Sequence, residues 1–272
     1  MNIPRKFKAK AWANQKGGVG KSILSYNDAF FLAESGKRTL YIDGDEQGNG
    51  SKRLVEYAVP NLVTSDLFKA SSLNPIIPID GQNLYVVMAD DALIKAERTD
   101  MDDGEMVELL KTNLATVAQH FDYVVIDTAG SNSRIANSLL VASDFVAIPF
   151  RVDPFSIDVA KKVLTRVAFV QQKWNPGLVN LGIVPNEFDS GQPAQVDWLK
   201  QLVSAYRAFL TAGLVNKSVS YKEAALEGVP VWRLRGGDGE SNAPVKTAAR
   251  NAGKEVKAVF QIMLDRMEKA NG

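Results

Sequence analysis

One stretch constrains the chain more than any other: Lys16-Gly17-Gly18-Val19-Gly20-Lys21-Ser22, set between the short run at 8–14 and an amphipathic segment from about Lys21 to Glu34 that stops at Gly36. A strand, a glycine-rich turn and a helix in that order gather backbone N–H groups and a helix N-terminus around one point, and both attract anions. Glycines let the backbone turn its N–H groups inward. Lys21 at the helix start can then reach β- and γ-phosphates, and the Ser22 hydroxyl can reach Mg²⁺. Against the spacing GxxxxGK[ST], Gln15 stands where the first glycine belongs, and an extra lysine, Lys16, follows it. A glycine turn that only capped a helix would not need the Lys21–Ser22 pair at that point.

Further apolar runs at 38–43 (RTLYID), 84–89 (LYVVMA), 123–127 (YVVID), 145–150 (FVAIPF) and 179–185 (VNLGIVP) alternate with amphipathic stretches. That alternation predicts an α/β fold, a mostly parallel twisted sheet flanked by helices. Helix is expected between 90 and 120, opening on Asp100, Asp102 and Asp103, where acidic charge suits a helix N-terminus better than it suits a metal. Arg235–Ser241 reads as a flexible loop before the last helix. No repeat and no strong boundary interrupts the pattern, so residues 1–272 are expected to form a single domain. The 46% apolar content is enough to build its core.

The absence of cysteine excludes disulfides, thiolate nucleophiles and cysteine-held zinc or iron–sulfur centres. A lone histidine, His120, leaves no His-rich metal site and no obvious Ser-His-Asp triad. No apolar segment follows the basic start, and no run approaches the roughly 18 residues of a spanning helix, so a cytoplasmic protein is expected. Charge is uneven: residues 1–150 carry fifteen Lys and Arg against nineteen Asp and Glu, and the remainder carries seventeen against twelve. The split suggests an acidic half that handles metal and a basic half that could meet a polyanion.

Two carboxylate motifs follow the glycine loop. The 38–43 strand ends in Asp43-Gly44-Asp45-Glu46-Gln47-Gly48-Asn49, and Tyr123–Ile126 delivers Asp127 ahead of Thr128-Ala129-Gly130. Carboxylates at the C-terminal ends of parallel strands fall where open α/β sheets bind ligands. An apolar strand carrying one Asp to a Mg²⁺ shell is the usual partner of a phosphate loop.

Together these motifs resemble the deviant Walker A P-loop ATPases of the ParA/MinD superfamily, in the NxKGGVGK[ST] form that Asn14 through Ser22 match, and most resemble short ParA-type partition proteins without an N-terminal helix-turn-helix. The likeness runs over about residues 9–235 and is most specific at 16–22. It implies ATP and Mg²⁺ as cofactors. Gly17, Gly18, Val19, Gly20, Lys21 and Ser22 would cradle the phosphates, and Ser22, Asp43 and Asp127 would serve the metal. Lys16 would be the signature lysine that reaches the partner subunit's ATP across a sandwich dimer. Asp45, in a segment similar to DxDPQGN but with Glu46 in place of proline, would position the attacking water. With no glutamate base, slow hydrolysis is expected. Asn186, in VNLGIVPNEFD, would contact adenine, and SYKEAALEGVPV at 220–231 would border the base.

The resemblance also implies an ATP-dependent homodimer that binds non-specific DNA on the nucleoid, with hydrolysis stimulated by a ParB-like centromere-binding partner. Two basic rows could meet DNA phosphates: Lys162, Arg166 and Lys173 lie within about 40° on a helical wheel, and Lys246, Arg250, Lys254 and Lys257 within about 80°. The alternative is a MinD-type, membrane-associated positioning ATPase, which needs a terminal amphipathic helix for lipid; the mixed charges of 265–272 speak against it. A metabolic P-loop ligase of the dethiobiotin-synthetase kind is disfavoured by Lys16 and the 43–51 motif.

Overall fold

The computed structural model describes residues 6–236 and 243–270. Most of the expected 235–241 loop therefore lies outside the described residues; Arg235 itself forms an antiparallel bridge with Val245. The chain runs β1 (Lys8–Trp12), α1 (Lys21–Glu34), β2 (Thr39–Gly44), β3 (Ala58–Val63), β4 (Leu84–Met88), α2 (Leu93–Glu97), α3 (Asp103–Val117) and β5 (Tyr123–Thr128). It continues α4 (Arg134–Val141), β6 (Phe145–Arg151), α5 (Ser156–Lys173), β7 (Val179–Asn186), α6 (Pro193–Tyr206), α7 (Ser220–Glu227) and α8 (Thr247–Lys269).

The seven strands form one sheet in the order β3-β4-β2-β5-β1-β6-β7, and every pairing between neighbours in it is parallel. Both faces are covered, as a parallel sheet requires. On one face Ala9, Leu40, Ile42, Val124 and Ile126 pack with Leu110 of α3, Leu139 of α4 and Val163 of α5. On the other, Trp12, Tyr41, Tyr123 and Val125 pack with Leu24 and Phe31 of α1, Ala224 of α7 and Phe260 and Met263 of α8. The apolar stripe of α8, from Ala249 to Met267, is buried in that second layer.

The acidic start of α3 is a capping box. The Asp102 carboxylate accepts from the Glu105 N–H at 2.9 Å, and the Glu105 carboxylate accepts from the Asp102 N–H at 3.2 Å. One strand has no signature in the sequence. β3, AVPNLV, contains Pro60 and a left-handed Asn61 (φ 56°), and among the described residues it pairs only with β4. Proline is tolerated at an edge because it withholds a ladder donor, and it erases the strand signature there.

Candidate nucleotide site

The site forms where β1, β2 and β5 end together. Because Trp12 pairs with Asp127 and Asp43 pairs with Asp127 in register, the 43 and 127 carboxylates stand side by side at the sheet's C-terminal edge, beside the loop that leaves β1. Gly20 caps α1 in the left-handed region (φ 88°) with no side-chain cap, so the helix's first N–H groups have no side-chain acceptor from the cap. A Cβ at Gly20 would also stand 2.2 Å from Asn186 Nδ2.

Lys21 folds back over the loop, its ammonium donating to the Lys16 carbonyl at 3.3 Å. Burial lowers its pKa, and the Asp127 and Asp45 charges oppose that shift. Asp43 and Asp127 are fully buried, and Asp43 Oδ2 and both Asp127 oxygens lack a hydrogen-bond partner among the described residues. Burial, reinforced by the Asp43 charge, holds the Asp127 carboxyl well above the usual range; the neighbouring Ser22 hydroxyl and Lys21 ammonium pull the other way. Unpartnered buried carboxylates beside a serine hydroxyl fit a hard divalent cation with oxygen ligands.

Asp43 is raised by burial from 3.8 to about 6, with Ser51 and the Asp45 N–H opposing. Its folded-state pKa lies above the unfolded value, so its favourable contribution is complete below about pH 4 and is lost as pH rises through 6. The loss is about 3 kcal/mol. Urea unfolding in chelator should therefore show stability falling between pH 4 and pH 7, with a flatter slope in Asp43→Asn. An unchanged slope would reject burial of Asp43 as its source.

The turn after β2 forms without the motif's proline. Asp43 Oδ1 accepts from the Asp45 N–H at 3.1 Å, Asp45 Oδ1 from the Gln47 N–H at 3.0 Å, and the Asp45 carbonyl from Gly48 at 2.8 Å. Asp45 and Gln47 then face Glu97, Gly130, Ser131 and Ser133 across a cavity of about 280 Å³.

Asn186 is buried at the end of β7, and its amide donates to the Val19 carbonyl at 2.8 Å. It braces the back of the phosphate loop, a contact its expected role at adenine did not include. Lys16 is ion-paired with Asp153 of its own chain.

The basic rows are divided. Lys162, Lys173, Arg250 and Lys254 are exposed, whereas Arg166 is half-buried and bonded to Asn132. Lys246 precedes α8 as its N-cap rather than lying inside it, and pairs with Glu223 at 3.0 Å. Lys257 pairs with Glu34 at 3.2 Å and stacks on Trp232.

Sequence reasoning passed over three supports. Asn14 is buried, donating to the Pro149 carbonyl and accepting from the Lys16 N–H. Glu97 accepts from the Arg134 and Ile135 N–H groups at 2.7 and 3.0 Å, capping α4 from another element. Tyr41 bonds Ser25 of α1 at 3.1 Å. Only the Asn in the NxK pattern carried any signal for these.

The AAA domain family AAA_31 matches residues 7–180. Protein IncC of Escherichia coli is 36% identical over 270 residues, covering 96% of this chain and 70% of IncC. The chain belongs to the ParA/MinD superfamily. This ParA-type chain is also 30% identical over 227 residues to the sporulation initiation inhibitor protein Soj of Bacillus subtilis, covering 81% of the chain and 88% of Soj. Its fold matches the ATP complex of a McdA variant from Cyanothece with TM-score 0.74 at 19% identity, over 95% of this chain and 97% of McdA.

Proposed function

We propose that this ParA-type chain is a Mg²⁺-dependent partition ATPase whose ATP-bound form pairs face to face and holds DNA non-specifically. The observation that carries the reading is the buried pair Asp43 and Asp127, with three carboxylate oxygens unpartnered among the described residues, set against Lys21 and the open N-terminus of α1. The relatives' names and the ATP in the McdA complex support it.

In this reading the 17–22 backbone N–H groups and the Lys21 ammonium bind the phosphates. Ser22 and Asp127, with Asp43 behind them, hold Mg²⁺, which supplies neutralisation of charge on the β- and γ-oxygens. Asp45, half-buried at the mouth, orients the attacking water. Lys16 leaves Asp153 to reach the partner's nucleotide; an exposed ion pair is worth roughly 0–1 kcal/mol, so leaving costs little. Asn186 keeps the loop in shape and borders the base. A ParB-like partner stimulates hydrolysis and releases the dimer from the nucleoid. Lys162, Lys173, Arg250 and Lys254 are the cations available to DNA phosphates, and Lys246 and Lys257 join them if their surface pairs open.

The MinD-type alternative requires a free apolar helix face for lipid. The apolar stripe of α8 supports the DNA reading instead, because it is already packed on the core.

Co-sedimentation with DNA in ATP, ADP or no nucleotide, at two salt concentrations, tests the proposal. Binding should require ATP and fall steeply with salt. Binding that ignores nucleotide would remove the switch. Lys16→Ala and Asp45→Ala should keep Mg-ATP affinity within about 3-fold while turnover falls about 10-fold or more. Normal turnover in Asp45→Ala would reject its assignment to the water.

A further inference from the structure

A second polar junction lies beside the phosphate mouth. Asn132, between β5 and α4, accepts two hydrogen bonds on one side-chain oxygen, from Gln15 Nε2 at 3.3 Å and from Arg166 Nη1. Gln15 enters the phosphate loop in the place of the first glycine of the common pattern. Arg166 comes from the middle of α5. One amide therefore joins the phosphate loop, the segment after β5, and a helix from the far side of β6.

Arg166 is half-buried, and the described residues offer its guanidinium no ion pair. A partly desolvated guanidinium held by a neutral amide is costly if it serves packing alone. Its position is also particular. Arg166 lines both a small cavity under Ala13, Asn14 and Thr128 and a groove of about 580 Å³ between α3, α4 and α5. Gln15 lines both as well, so the two residues that meet at Asn132 border the cavity and the groove together.

The segment it holds rests directly on the phosphate loop. A Cβ at Gly130 would stand 3.0 Å from Lys21 Nζ and 3.2 Å from Gly17 Cα. Asn132 is two residues further on, so a shift there is passed to Gly130 and to the contact with Lys21.

We propose that Arg166 is a positioning residue for the nucleotide site, holding the 129–133 segment against the entry of the phosphate loop through Asn132. Its kinetic readout rests on the ATPase reading above; its structural readout does not. It also sets Arg166 apart from the cations free to meet DNA, since its guanidinium is engaged by Asn132.

Hydrogen exchange on the nucleotide-free chain is the first test. Arg166→Ala should speed exchange of the 129–133 amides by about 10-fold or more while leaving the core amides of β5 unchanged, and Arg166→Lys should recover part of the protection. Asn132→Ala should give the same local loss, and the double variant should be no worse than either single. In steady-state hydrolysis, Arg166→Ala should lower kcat about 10-fold with KM within about 3-fold, and Arg166→Lys should restore part of kcat. Unchanged exchange in Arg166→Ala, or singles whose effects add in the double, would overturn the assignment. Absence of turnover in the unmodified chain would defeat the ATPase reading, and the exchange data would still decide the role of Arg166.

Discussion

Lys21→Ala is expected to weaken Mg-ATP binding by about 100-fold, a change near 2.8 kcal/mol at 1.4 kcal/mol per decade. The reason is geometric. The Lys21 ammonium sits over the phosphate loop on the Lys16 carbonyl and faces Asp127 and Asp45, so it is the cation already placed to meet the phosphates. A charge-assisted hydrogen bond in a partly dry site is worth about twice a neutral one, and no second cation can take its place. Lys16 does not: it lies on Asp153 and, in the reading above, leaves that pair for the partner's nucleotide rather than its own. Titration with a fluorescent ATP analogue measures the effect, and circular dichroism verifies that the fold survives. An affinity within 3-fold of the unmodified chain would remove Lys21 from the site.

The second large effect lies in the core. Lys10 of β1 and Asp28 of α1 form an ion pair at 2.6 Å, with side chains 1% and 0% exposed. Trp12 Nε1 donates to the same Asp28 oxygen at 2.8 Å, and Asp28 Oδ1 has no hydrogen-bond partner among the described residues. Removing one member strands a buried charge, so Lys10→Met or Asp28→Leu alone should lower stability by about 3–5 kcal/mol. Removing both replaces the pair with packed apolar surface and should recover all but about 1 kcal/mol, the remainder being the Trp12 N–H left without an acceptor. A double-mutant cycle in urea decides the matter: additive losses would show that the two charges do not compensate each other. Because the pair joins the strand before the phosphate loop to the helix after it, either single variant should also loosen nucleotide binding.

Much of this protein is legible in its sequence. The strand–glycine–helix pattern at 8–34 and the Asp-terminated runs at 38–43 and 123–127 placed the sheet and the site, because apolar runs of strand length and left-handed glycines are local properties. The same locality let the capping box at Asp102 be read as a helix start. Edge strand β3 escaped, since proline and asparagine disrupt the pattern that identifies strands.

Lys10 shows the limit most clearly. In KAKAW the lysines alternate with alanine, and period-two alternation reads as one face in water. α1 and α8 cover that face, so Lys10 is buried on Asp28 and the Lys8 ammonium reaches the Met267 carbonyl. The helical-wheel rows are incomplete in the same way. A wheel gives the direction of Lys246, Arg166 and Lys257, but not the Glu223, Asn132 and Glu34 that meet them from other elements.

The sequence by itself determined the order of elements, the phosphate loop and the identity of its carboxylates, all carried by contiguous residues and fixed spacings. Only the tertiary structure decided that Asp43 and Asp127 lie in register with three carboxylate oxygens that meet no hydrogen-bond partner among the described residues, that Asn186 braces Val19, and that Arg166 meets Asn132. Those are contacts between residues as many as 167 positions apart, and strand register and helix packing set them.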